Sequence, residues 1–85
     1  MVLLATTSKG LVEAIAASKL TGESVWCGAE AVSAEDFAMQ IPKNVTRFTY
    51  GLQGDNAELL QDAIGTIAEH HPGQTIWVEA APSEA

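Results

Sequence analysis

Residues 55–80 read DNAELLQDAIGTIAEHHPGQTIWVEA, which translates into helix, stop and strand. Asp55 followed three positions later by Glu58 has the form of a capping box, in which each side chain satisfies backbone N–H groups that a first helical turn leaves free. Ala57, Leu60, Ala63, Ile64 and Ile67 then recur at three- and four-residue steps, the spacing that lines one side of a helix with apolar side chains. His70 and His71 fall in the last turn, Pro72 cannot continue the helix, and Gly73 can take the positive φ of a helix exit. Thr75, Ile76, Trp77 and Val78 follow as a strand, being rich in β-branched and aromatic side chains.

Working outward, Val2 to Ala5 is apolar at every position, the signature of a strand covered on both faces and therefore central. The turn Thr6-Thr7-Ser8-Lys9-Gly10 leads into a helix through Leu11, Val12, Ile15, Ala16 and Leu20 that stops near Gly22. Ser24 to Cys27 is a short second strand. Ser33 and Asp36 form another helix start, opening a short helix that includes Phe37 and Ile41 and ends before Pro42. Val45 to Leu52 alternates, with Phe48, Tyr50 and Leu52 on one side and Val45, Arg47 and Thr49 on the other, as in a half-exposed or edge strand. Residues 53 and 54 turn the chain into Asp55.

The order β-α-β-α-β-α-β predicts a small α/β domain with a four-stranded, mostly parallel sheet and right-handed crossovers. The competing expectation is an α+β ferredoxin-like split β-α-β, in which the short helix at Ser33 is an insertion. One domain over residues 1–80 and a mobile tail over 81–85 are expected. At 85 residues folding buries roughly 60–65% of the unfolded chain's surface, so the core is small.

The net charge of −7, from 11 acids against 4 bases, argues against nucleic acid as a direct ligand, because phosphate contacts need Lys and Arg. Lys9, Lys19, Lys43 and Arg47 all lie in the first 47 residues, and no Lys or Arg follows. No apolar run nears the roughly 20 residues of a membrane-spanning helix, and Met1 to Thr7 has neither the basic start nor the length of a signal peptide, so a cytoplasmic address without membrane partners is expected. A single cysteine, Cys27, forbids an intrachain disulfide and suits a reducing compartment.

Two stretches carry candidate function. The first is the anion-binding candidate Thr6, Thr7, Ser8, Lys9 and Gly10: free N–H groups and the positive dipole end at a helix start favour an anion, the hydroxyls donate, and Lys9 adds charge. In a parallel sheet this turn also lies at the C-terminal ends of the strands, where open α/β sheets bind ligands. The motif is neither a P-loop nor a dinucleotide fingerprint, and capping alone explains small hydroxyl residues there. In strand order and loop position this part resembles small phosphocarrier domains of sugar-transport systems. Their nucleophilic cysteine would fall where this chain has Thr6 or Thr7, so phosphotransfer is not carried over.

The second candidate is the acidic side of the last helix, where Asp55, Glu58, Asp62 and Glu69 fall at three-, four- and seven-residue steps opposite Leu60, Ile64 and Ile67 with no Lys or Arg interrupting them; Asp55 and Glu58 also serve the cap. Cys27 reads as a small buried apolar group, and the adjacent His70 and His71 diverge by about 100° around a helix, so neither a nucleophile nor a metal site is expected. No cofactor is implied. The leading expectation is a non-enzymatic protein-binding module, an inhibitor or regulatory subunit that docks a basic protein surface through Glu58, Asp62 and Glu69. In length and charge it is similar to small acidic inhibitors, such as DNA mimics and anti-defence proteins of phages and plasmids. The alternatives are an anion- or nucleotide-binding domain using Thr6 to Gly10, and a homodimeric subunit that pairs through a strand edge.

Overall fold

A computed structural model describes residues 1–40, 44–52 and 57–79. Its elements are β1 (Val2–Ala5), α1 (Ser8–Thr21), β2 (Ser24–Cys27), α2 (Ala34–Gln40), β3 (Val45–Arg47), α3 (Ala57–His70) and β4 (Ile76–Val78). All strand pairings are parallel and the sheet order is β3-β2-β1-β4, so β1 lies inside the sheet, as its unbroken apolar run requires. The all-parallel ladder rules out the ferredoxin-like alternative, which needs antiparallel neighbours.

The sheet separates two apolar layers. Val2, Leu4, Trp26, Phe48 and Leu52 pack with Ala63 and Ile67 of α3, and Ala5, Val25, Cys27 and Val45 pack with Leu11 and the partly buried Ile15 of α1 and Phe37 of α2. Residues of one strand alternate between the layers because successive strand side chains point to opposite faces. The first two crossovers therefore run over one face and the third over the other. The chain leaves β1 toward β2 and β3, then returns on the far side of β1 to make β4.

Local signals explain most element ends. Thr7 is the N-cap of α1, with its hydroxyl oxygen accepting from Gly10 N at 3.0 Å, and Gly22 closes the helix at φ 76°. Ser33 Oγ accepts from Asp36 N at 3.1 Å at the start of α2. Gly73 takes φ 78° after α3, as its place behind Pro72 predicts. The expected cap at Asp55, the turn over residues 53–54, Ile41 and the tail 81–85 lie outside the described residues.

Four expectations need correction. Helix α1 begins at Ser8, so Ser8, Lys9 and Gly10 form its first turn rather than a loop. Along α1, Val12, Ala16 and Leu20 are exposed while Ser18 is buried, its hydroxyl donating to Ile15 O at 2.9 Å; apolar residues surround this helix too evenly for sequence spacing to pick the inner side. The alternating segment Val45–Leu52 forms a ladder only over β3. Beyond Arg47 the chain bends, yet Phe48 and Leu52 still reach the core beside Trp26. Ala57, at the start of α3, is exposed rather than core-facing.

Candidate functional site

Because β1 leads to β2 on one side while β4 lies on the other, the strand order reverses between β1 and β4, and in open α/β sheets the crevice at the C-terminal ends of such strands is the usual ligand position. The Thr6–Thr7 turn stands there. It is filled by this chain's own Glu79, the residue after β4. Glu79 Oε1 accepts from Thr6 N at 2.7 Å, Thr7 N at 2.9 Å and Thr6 Oγ1 at 3.2 Å, and Oε2 accepts from Thr7 Oγ1 at 2.5 Å. A Cβ on Gly10 would overlap the carboxylate, so a glycine in the first turn of α1 leaves room for it. Partial burial pushes the Glu79 carboxyl up, but the hydrogen bonds from Thr7 and Thr6 outweigh it and hold the group below the ordinary 4.5.

Of the anion-binding candidates, the structure brings Thr6, Thr7 and Gly10 around one carboxylate. Ser8 and Lys9 are exposed on the first turn of α1. Glu79 is the residue that sequence reasoning missed in this cluster. Nothing local connects it to Thr7, 72 positions away; only the strand order, which sets β4 beside β1, brings them together.

The acidic side of α3 is arranged as its spacing predicts. Glu58, Asp62 and Glu69 are exposed on one side, and Ala63 and Ile67 on the other are fully buried. Gly65 also lies on the exposed acidic side, with nothing near its missing Cβ. Ala57, Glu58, Gln61 and Asp62 line a shallow depression at the start of the stripe. Among the described residues the only ion pair joins the Met1 amino group to Glu23 at 3.0 Å, so none of these α3 carboxylates is neutralised by Lys9, Lys19 or Arg47. Arg47 is engaged elsewhere: its Nε donates to Val32 O at 2.8 Å and its Nη2 to Ala29 O at 3.2 Å.

Local helix physics accounts for only part of the stripe. Glu58 complements the helix N-terminus. Asp62 lies four residues beyond Glu58, a like-charge spacing that costs about 0.2–0.5 kcal/mol. Glu69 sits in the last turn, where the dipole disfavours a negative charge. Gly65 costs roughly 1 kcal/mol relative to Ala in an exposed helix interior.

Cys27, Trp26, His70 and His71 are engaged in packing. Cys27 is fully buried, and burial, opposed by the nearby Arg47 charge, raises its thiol to about 11. Trp26 Nε1 donates to His71 Nε2 at 3.3 Å, and the Trp26 ring packs against Phe48 and His70 at centroid distances of 5.1 and 5.5 Å. Among the described residues no group of three or more His, Cys, Asp or Glu is placed to hold a metal ion, and no helix is long and apolar enough to cross a membrane.

These features define a small all-parallel α/β domain with an internally satisfied turn at its switch point and an acidic outer helix. In comparisons with known proteins, no family model, curated protein or solved structure matches this chain.

Proposed function

We propose that the protein is a small acidic binding module that docks a basic surface of a partner protein through the outer side of α3, acting as an inhibitor or regulatory subunit. The observation that carries this reading is the exposed stripe of Glu58, Asp62 and Glu69, which no base among the described residues neutralises and whose last two members do not serve the helix. The three carboxylates fall within about 40° of one another around the helix, so they present one negative ridge. Gly65 within that ridge allows close approach by an Arg or Lys side chain. Charges arranged this way speed encounter and fix orientation with a positive partner.

The test is affinity capture from the native host with the unmodified chain as bait, followed by capture with Asp62→Lys and Glu69→Lys combined. The reading expects a basic partner whose retention by the unmodified chain falls as salt rises and which the double variant loses. Equal retention by both baits at low salt overturns it.

A second reading is favoured by the position of the Thr6–Thr7 turn at the strand-order reversal. Here the turn takes a small anion in place of the Glu79 carboxylate. Glu79→Ala should then gain amide shift changes at Thr6, Thr7 and Gly10 when inorganic phosphate is added, and no change at millimolar phosphate removes this reading.

A further inference from the structure

The two edges of the sheet are built differently. At the β3 edge, Arg47 is held by its bonds to Val32 O and Ala29 O, and the regular strand is only three residues long. Strand β4 carries none of the devices that discourage edge pairing: it holds no Lys, no Pro and no charged side chain within Ile76–Val78. In its middle stands Trp77, 60% exposed although flanked by a core-facing residue on each side.

The ladder fixes which backbone groups this edge offers. Val2 N donates to Thr75 O and Glu79 N to Leu4 O, both at 2.8 Å, with Trp77 in register with Leu3. In a parallel pair alternate residues bond the same neighbour, so Thr75, Trp77 and Glu79 face β1, while the N–H and C=O groups of Ile76 and Val78 point away from the sheet. Those outward groups have no partner among the described residues.

Beside the strand, Leu3, Ala14, Ala17, Trp77 and Val78 line a mainly apolar groove between α1 and β4, whose lining also includes Glu13 and the hydrogen-bonded Glu79. Leu20 continues the same flank of α1 one turn beyond Ala17 and is 89% exposed. The helix layer of α1 and α2 thus stops short of β4.

We propose that β4 is a homodimer edge: two copies pair their β4 strands antiparallel about a two-fold axis at Trp77, making one eight-stranded sheet. The occupant is a second copy because the edge is complementary to itself in one register. Opposing the outward groups of Ile76 with those of Val78 in the other chain makes four N–H···O bonds and sets Trp77 against Trp77 as a non-hydrogen-bonded pair, the closer of the two antiparallel positions and one where aromatic pairs stabilise a sheet. In that register Thr75 faces Glu79, so no like charges are directly opposed within the strand pair. Trp77 points to the α1 side in both copies, so the two rings and the two apolar grooves meet at the axis. This surface is distinct from the α3 stripe, and the dimer presents two such stripes.

Sedimentation equilibrium up to roughly 1 mM protein, which would populate even a millimolar association, should give twice the 8.9 kDa chain mass. Trp77→Lys should return the mass to a single chain while far-UV circular dichroism stays unchanged. In the unmodified protein, hydrogen exchange at the amides of Ile76 and Val78 should slow at least tenfold between dilute and concentrated samples. A single-chain mass throughout overturns the proposal. So does a dimer in which the Ile76 and Val78 amides exchange equally fast at all concentrations, because the contact then lies elsewhere.

Discussion

Glu79 and the α3 carboxylates are the same chemistry in opposite circumstances. Glu79 receives four hydrogen bonds from one turn and ties the end of β4 to the start of α1 across 72 residues of chain. Asp62 and Glu69 stand in solvent without an ion-pair partner among the described residues, at positions where the helix itself disfavours them. A carboxylate that holds the fold together is consumed by the fold, whereas one that the fold tolerates at a small cost remains available to another molecule. Charge counted along the sequence cannot separate these cases, and geometry does.

The solvent exposure of Asp62 and Glu69 depends on Ile67 anchoring the opposite side of α3 against the sheet. Ile67→Ala removes a fully buried side chain beneath the acidic stripe and should destabilise the protein by about 2–5 kcal/mol in chemical denaturation. A loss below about 1 kcal/mol would mean that this side of α3 is not the inner one.

Glu79→Ala should cost about 1–3 kcal/mol, the range for a hydrogen-bonded charged group whose donors are left behind. Its pH dependence sharpens the contrast. The unfolded chain takes up the Glu79 proton at a higher pH than the folded one, so the contribution is complete above 4.5 and is lost as pH falls through the lowered folded value. The stability difference between the unmodified protein and Glu79→Gln should therefore shrink on acidification below pH 4.5, measured by urea titration at several pH values. A difference that grows in acid contradicts the assignment.

Reversal of the α3 charges should act in the other direction. Asp62→Lys replaces a like-charge pair with an attractive one four residues from Glu58, and Glu69→Lys places a cation in the last turn. Each should stabilise the protein by a few tenths of a kcal/mol, measurable as a small rise in the denaturation midpoint. The smallest effect expected is at Cys27: a buried thiol raised to about 11 should resist alkylation at pH 8 in the native protein and react promptly in denaturant.

The strands and helices were largely legible because their signals are local. The apolar run Val2–Ala5 announced an interior strand, Ser33 and Gly73 marked helix ends, and the three- and four-residue spacing in α3 separated its buried from its acidic side. The misreadings arose where local pattern and tertiary packing part company. Alternation through Phe48 and Leu52 reflected burial beside Trp26 rather than a continuing ladder. The exposed side of α1 stayed hidden because Val12, Ala16 and Leu20 are as apolar as Leu11 and Ile15. The Thr6–Thr7 turn was visible as an anion site, but the anion that fills it belongs to a residue that only the strand order brings near.

The most direct measurement sets stability against binding in one variant. Asp62→Lys combined with Glu69→Lys should keep or slightly raise the denaturation midpoint while abolishing retention of the basic partner at low salt. A double variant that keeps full retention would contradict a docking role for these carboxylates, and one that loses stability by more than about 1 kcal/mol would show that they serve the fold after all.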